Sequence, residues 1–558
     1  MRRNTFSIIL ILTVMVAGCD WLPKAEDPLL VEDLVQVDSL YTDSLNRMEY
    51  GSIKWFIQKG EVSYVHQTKV DWVKELKAFQ ENHVNHLRFK EAYSVVDSSQ
   101  GSVRRVSFTA NNPSLEVRWM KSVAESGRLV GYELEKTRSN MLSSSRQHFQ
   151  MEGSQYSLSI EQEIDGVFSN DQFVHGTIVP KGEVWRAEFD LGGDPMPLQC
   201  VLQEDQLIVK NAQEFLSFSL QSTEGDSLRF ESEFFNGWFQ LIAVDDDKMV
   251  GRWINEKRDQ RKVTPVTLTR GIPYRFNVTS LPDVDLSGEH TIRFADADGE
   301  LINTAVIHLE QIGPMLTGSI LTETGDYRWL DGVVRNDSLL LSTMDGTHAY
   351  LFKGKVQADR IDGVFCAGTT WKQKWEVSIG ERFDLRTPES ITQLTRDSFN
   401  FSFPDVSGNL ISLDDARFKD KVVLVSVMGT WCSNCLDEAL FLKKVKERFP
   451  ASQVEIVALN FELVNDSAVA KRNMERHIKS LDVEYPVLLA QLGTNSKKAS
   501  VLFPSLNGIF SYPTLIILDQ DHEVVRIHTG FNGPATGKER YQAFEQEYLG
   551  LIRDLVNP

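Results

Sequence analysis

The sequence predicts a multidomain chain: an N-terminal α+β domain, two antiparallel all-β repeats, and a C-terminal α/β domain carrying a closely spaced cysteine pair. Three observations predict it. At 558 residues the chain is too long for a single core. Short alternating segments between residues 179 and 384 recur in the same order about 110 residues apart. Near residue 422 the alternation gives way to a continuous apolar run, which leads directly into C-x-x-C and then into a helical stripe.

Composition is that of a globular protein, 42% hydrophobic and 25% charged. The formal net charge of -19 and the lack of a basic patch argue against a nucleic-acid partner. At the start of the chain Arg2 and Arg3 precede an apolar run over residues 6–16, too short for a membrane span but suited to a signal-peptide core. Val16-Ala17-Gly18-Cys19 follows, and this small-small-Cys ending resembles the lipobox of bacterial lipoproteins, whose cysteine is acylated. The expectation is therefore a lipoprotein signal peptide over 1–18, a lipid on Cys19 and a tether over 19–30 with Pro23 and Pro28. The remainder would sit on the bacterial cell envelope, lipid-anchored to a membrane and facing the periplasm.

Residues 31–178 read as the α+β domain. Leu34, Val37, Tyr41 and Met48 recur at helical spacing, and Asp71 is placed as an N-cap before the stripe Trp72, Leu76 and Phe79. Tyr156, Leu158 and Ile160 then alternate with Ser157, Ser159 and Glu161, the pattern of a half-exposed antiparallel strand. No chemical motif stands out in this domain.

The two β repeats span 179–275 and 276–384. Gly225-Asp226-Ser227-Leu228-Arg229-Phe230 is matched by Asn336-Asp337-Ser338-Leu339-Leu340-Leu341, and Met249-Val250-Gly251-Arg252-Trp253 by Ile361-Asp362-Gly363-Val364-Phe365. The openings agree too, Trp185, Ala187 and Phe189 against Ile292 and Phe294. Units of about 100 residues with turn signals at Asp298-Gly299 and Asp345-Gly346 suit a small antiparallel barrel or sandwich. Asp296-Ala297-Asp298-Gly299-Glu300 looks like a calcium loop, but Leu301 and Ile307 occupy the positions where such a loop needs Gly and a carboxylate, so a hairpin turn is expected. Asp245-Asp246-Asp247 reads as a solvated turn in the same way. His308 and His348 lack a partner at zinc-ligand spacing.

The chemistry lies in residues 391–558. Val422 to Val427 forms a run interrupted only by Ser426, as a central strand covered on both faces would. Cys432-Ser433-Asn434-Cys435 follows, and then Leu442, Val445 and Phe449 recur along a helix that stops at Pro450. The cysteine pair thus sits where a strand hands over to a helix, where free N–H groups and the helix dipole favour an anion. Thiolate is the reactive form of cysteine, so Cys432 is the expected nucleophile and Cys435 the resolving thiol. A strand over 454–459, a helix over 468–481, Tyr512-Pro513 before a strand over 514–518, a hairpin partner over 523–527 and a last helix over 538–555 complete the domain. A proline just before a strand is a usual place for a cis bond.

Residues from about 391 to 558 resemble the TlpA/ResA-like thioredoxin-fold disulfide reductases. The likeness rests on Gly429-Thr430-Trp431-Cys432, Cys435-Leu436-Asp437-Glu438 and the leading hairpin Ser407-Gly408-Asn409-Leu410-Ile411-Ser412-Leu413. The resemblance implies a thioredoxin-like fold with Pro513 against the cysteines and the Tyr512 backbone pairing with the substrate chain. It also implies a substrate-positioning role for Trp431 and a family Glu at position 438. The second β repeat in turn looks like the β domain that precedes TlpA-like domains in some envelope lipoproteins. Two departures matter: the loop between the cysteines has no Pro, and Ser426 stands where thioredoxin keeps a buried carboxylate.

Glu438 lies three residues after Cys435 on one helix face, which makes it the candidate acid–base group for the resolving step, with Asp437 left to offset the helix dipole. C-x-x-C is also half of a zinc site, but no second C-x-x-C or His pair is present, so no metal or cofactor is expected. Of the other cysteines, Cys200 and Cys366 stand alone, read as buried unpaired thiols, although an oxidising compartment would allow them to pair. The expected activity is that of a membrane-tethered reductase acting on disulfide-containing envelope proteins and fed by a thiol electron donor. Two alternatives stand beside it: a ligand- or partner-binding lipoprotein with an accessory redox domain, and a peroxiredoxin-like thiol peroxidase.

Overall fold

The computed structural model describes residues 50–557, apart from 59–60, 77–91, 99–102, 126–127, 141, 165–167, 225–226, 258–260, 279, 297 and 397. The expected signal peptide, Cys19, the tether and the helix expected around Leu34 to Met48 lie outside the described residues, as do Phe79 and the Gly225-Asp226 start of one repeat motif. Among the described residues no helix is long and apolar enough to cross a membrane.

The N-terminal domain is dominated by a nine-stranded antiparallel sheet, in which strand Gly51–Gln58 inserts beside the last strand, Phe168–Val179. Its described helix is the short Trp72–Glu75, and Asp71 caps it as the sequence implies, accepting from the Lys74 N–H at 3.2 Å. Trp72 is fully buried, edge-on to Tyr156. Tyr156 belongs to the alternating strand Gln155–Ile164, which pairs antiparallel on both sides. Sheet therefore outweighs helix in the described part of this domain.

The two repeats are eight-stranded antiparallel barrels. The first runs from strand Glu183–Asp190 to strand Lys262–Arg270, and these two close it. The second runs from Gly288–Ala295 to Trp371–Ser378, closes by pairing those strands, and carries the extra segment Gly325–Asp326 on strand Met315–Thr322. The motifs matched in sequence fall on equivalent strands. Ser227–Ser232 and Ser338–Met344 are each the fifth principal strand, and Lys248–Asn255 and Arg360–Ala367 each the seventh. Side chains occupy the first barrel's interior, where Trp185, Phe189, Phe218, Phe239 and Trp253 are at most 4% exposed. The acidic runs are turns: Asp296 Oδ1 accepts from the N–H groups of Asp298 and Glu300, and Asp245 Oδ1 from that of Asp247.

The barrels share a core. Met344, Leu351 and Cys366 of the second pack into the cluster that holds Cys200 and Leu198 of the first. Between them lies a buried charge trio, in which Asp331 Oδ2 is 3.2 Å from Lys210 Nζ and 3.6 Å from the Arg275 guanidinium. Burial pushes the pKa of both cations down, and the nearby Asp331 carboxylate opposes that shift. Cys200 and Cys366 are buried and unpaired. Burial pushes the Cys200 thiol up to about 12, so it is inert near neutral pH.

In the C-terminal domain the sheet order is Val487–Gln491, Val454–Phe461, Val422–Met428, Thr514–Leu518, Val524–Thr529. The central strand Val422–Met428 is buried along its whole length, parallel to one neighbour and antiparallel to the other. This explains its apolar run, interrupted only by Ser426.

Candidate redox site

The central strand ends at Met428, and four residues carry the chain to the helix Ser433–Arg448. Cys432 is the N-cap of that helix. Its Sγ lies 3.2 Å from the Cys435 nitrogen, whose N–H points at it, and 3.3 Å from the Tyr512 carbonyl oxygen. Cys432 and Cys435 form a disulfide. The site is therefore a sulfur pair with one sulfur at a helix N-terminus, where orphan N–H groups stabilise a thiolate when the bond is reduced. Cys435, in the first turn, is only 2% exposed.

Tyr512-Pro513 is a cis peptide, and it sits against the pair. Trp431 donates its indole N–H to the Phe461 carbonyl at 2.8 Å and meets the Tyr512 ring edge-on, centroids 5.5 Å apart. Residues far apart in sequence thus converge on Cys432: Trp431 from the strand–helix turn and Tyr512 from the turn before strand Thr514–Leu518.

Glu438 is almost fully buried. The Ser426 hydroxyl donates to its Oε2, while Oε1 has no hydrogen-bond partner. Burial pushes its carboxyl up to about 8, only partly opposed by Ser426. Ser426 therefore does not fill the place of a strand carboxylate with an inert side chain. It supports a carboxyl that arrives from the facing helix. A second buried carboxyl, Glu462, went unnoticed in the sequence. Its Oε1 accepts from Thr430 Oγ1 at 2.5 Å and Asn460 Nδ2 at 3.1 Å, and burial raises it also. Nothing in its local pattern marks it, because it lies beyond the end of a strand and meets Thr430 only in the fold.

Asp437 is where the sequence reading needs correction. It is not a solvated carboxylate offsetting the dipole but a buried group, 8% exposed, that faces the second barrel. Arg328 of that barrel lies 3.2 Å from Asp437 Oδ1, pairs with Glu214 of the first barrel and donates to the Ser433 carbonyl. Burial opposes the Arg328 charge, but the carboxylates around it hold it protonated. Burial and the neighbouring Asp326 and Glu214 push Asp437 up to about 8 in spite of Arg328. One cation is shared: Arg328 pairs directly with Glu214 and lies beside Asp437, so its charge only partly offsets the burial of the second carboxyl.

The same face is pinned elsewhere. Asn434 Nδ2 donates to the Asp326 and Phe531 carbonyls, the Gly533 N–H donates to Asp326 Oδ2, and Ser511 Oγ donates to the Thr324 carbonyl. Phe235 of the first barrel packs on Leu436 and Ala439 of the active-site helix. These are long-range contacts between residues that read separately as turn and helix, and no local sequence signal announces them.

Residues 396–543 match the family model described as Redoxin. The chain is similar to the thiol-disulfide oxidoreductase ResA of Bacillus subtilis (strain 168), 32% identical over 165 residues that cover 30% of this chain and 78% of that protein. It is similar to the thioredoxin-like protein YneN of the same organism, 30% identical over 131 residues, 24% of this chain and 68% of that protein. ResA of Bacillus thuringiensis subsp. konkukian (strain 97-27) is 27% identical over 140 residues, 25% of this chain and 72% of that protein.

Proposed function

We infer that this chain, which through its C-terminal domain belongs to the ResA-like thiol-disulfide oxidoreductases, is a lipid-anchored reductase of disulfides outside the cytoplasm. The observation that carries the redox reading is Cys432 at the helix N-cap, its sulfur bonded to Cys435 and facing the Tyr512 carbonyl.

In the reduced enzyme the Cys432 thiolate attacks one sulfur of a substrate disulfide. That S–S bond breaks, a mixed disulfide forms, and the released sulfur leaves as a thiolate that takes up a proton. Cys435 then loses its proton to Glu438 and attacks the Cys432 sulfur of the mixed disulfide. The second substrate sulfur leaves, and the enzyme disulfide closes. Two electrons have passed to the substrate, and a dithiol donor must return them to Cys432–Cys435. Trp431 and Tyr512 flank the attacked sulfur and position the substrate chain, with Pro513 completing that wall. Substrates are disulfide-containing proteins of the bacterial envelope.

Substrate trapping tests the direction. Cys435→Ala should accumulate mixed disulfides on Cys432 with envelope proteins, released by dithiothreitol and identified by mass spectrometry. A variant that traps no partner in cells would remove the reductase reading. The anchor has its own test. Cys19→Ala should move the protein from the membrane to the soluble fraction and leave the exchange rate of the purified soluble form unchanged, because an acylated Cys19 is a tether with no part in the sulfur chemistry. Continued membrane association would mean that something other than a lipid on Cys19 holds the chain.

A further inference from the structure

The redox domain does not present its sulfur pair on an open face. Cys432 is only 8% exposed in the full chain. On one side Phe234 and Phe235 of the first barrel line, with Trp431, a crevice with room for about one water. On the other side the second barrel's segment from Thr322 to Arg328 lies along the site. It touches Ser511 through the Thr324 carbonyl and Asn434 through the Asp326 carbonyl, and it is tied down by Arg328. The fit is close. A Cβ on Gly325 would come within 2.8 Å of Asn434 Nδ2, and one on Gly530 within 2.5 Å of the Thr324 carbonyl carbon. What remains is a cleft of about 440 Å³ between this segment and the two residues inside the C-x-x-C loop, Ser433 and Asn434.

We propose that the segment Thr322–Arg328 of the second barrel is the substrate-selecting wall of the redox site. The disulfide it admits is carried on a short or extended polypeptide segment rather than on the surface of a compact fold. This deepens the redox reading above and rests on it.

Size points there. Clefts of roughly 300–1,000 Å³ enclose a few residues' worth of ligand. The flat patch of roughly 800 Å² per partner through which folded proteins recognise one another does not close over a sulfur that is only 8% exposed beside such a cleft. The exposed Thr324 and the rings of Tyr327 and Tyr350 line the cleft, while the Thr322 hydroxyl and the Asn434 amide hydrogens are already committed to carbonyls of the protein. Carboxyls of Glu323, Asp326 and Asp345 line the cleft together with His348, Glu323 being paired with Arg386 and Asp345 with His348.

Arg328 is the tie that one substitution loosens: an uncharged side chain there takes from Glu214 and Asp437 the cation they share and from the segment its tie to Ser433, while the Thr324 and Asp326 contacts remain.

The experiment compares two disulfides under dithiothreitol with the full chain: a short peptide closed by one disulfide, and a compact native protein with a surface disulfide. The wild-type chain is expected to reduce the peptide at least about tenfold faster in kcat/KM. Arg328→Met should raise kcat/KM on the compact protein about tenfold while the peptide changes by less than about threefold. Thr324→Trp, at an exposed position on the cleft's rim, should lower kcat/KM on the peptide about tenfold, mainly through KM. It keeps the test alive if Arg328→Met does not fold. Equal reduction of both substrates by the wild type, or selectivity unmoved in every variant that folds, would overturn the selecting wall and leave the redox reading standing. A wild-type chain that reduces neither disulfide would overturn both.

Discussion

Replacing Cys432 with serine abolishes dithiol–disulfide exchange, whereas Cys200→Ser and Cys366→Ser leave it close to the wild-type rate. The three cysteines differ in environment. Cys432 caps the helix Ser433–Arg448 and has a sulfur partner three residues on. A serine hydroxyl there keeps the cap, because it accepts from the same N–H, but it forms no disulfide and stays protonated near neutral pH. The loss should exceed about 10³-fold, or about 4 kcal/mol in the barrier. Cys200 lies in the shared barrel core with its thiol pushed up to about 12, so its thiolate is scarcely populated. Serine at 200 buries a hydroxyl among apolar groups and costs about 1–3 kcal/mol of stability without touching the chemistry. Turnover of an aromatic disulfide read by absorbance, beside a denaturation curve for each variant, separates the two effects. Exchange retained by Cys432→Ser would move the nucleophile elsewhere.

The cysteine pair and its helix were legible because their signals are local. A continuous β-branched run, a turn and a 3.6-residue stripe are read within about thirty residues, and each has one good structural solution. The barrels were legible through repetition: nearly the same spacing separates Ser227 from Ser338 and Met249 from Ile361, which marks equivalent strands whatever their fold. The N-terminal domain was read less evenly, with Asp71 and the Gln155–Ile164 strand recognised and the extent of its nine-stranded sheet missed. The errors and omissions at the site have one cause. Asp437, Arg328, Asp326 and Glu462 look like ordinary surface charges, because a charged residue carries no local mark of burial. Asp437 follows Cys435 on a helix whose other faces are filled by its own domain. Only the arrival of two barrels makes its face an interior. Glu438 was reachable from its spacing to Cys435, and Ser426 from its interruption of an apolar strand. That the hydroxyl donates to the carboxyl required the fold.

That contact sets the second large effect expected. Glu438→Gln should slow the resolving step about 10²-fold and remove the limb of the pH–rate profile that lies near pH 8. Cys435 has to lose a proton inside an apolar cluster before it can attack, and a buried thiol resists that loss. Glu438 sits one helical turn away, with one oxygen held by Ser426 and the other unpartnered. Its pKa, pushed by burial to about 8, lies close to the ordinary thiol value of about 8.5, so the proton moves between groups of nearly equal affinity. Glutamine preserves shape and can still accept from Ser426, but it cannot titrate. Stability provides the control. A carboxyl raised from 4.5 to about 8 is protonated in the folded chain where the unfolded chain has already released its proton. The folded state binds the extra proton, so this group's contribution is fully present below about pH 4.5 and is lost as pH rises through about 8. Glu438→Gln should therefore flatten the fall in stability over that window, gaining relative to wild type at the alkaline end. A structural role alone predicts that flattening with an unchanged pH–rate profile. A flattened stability curve together with loss of the alkaline kinetic limb, measured by single-turnover quench of the mixed disulfide, assigns the proton transfer to Glu438.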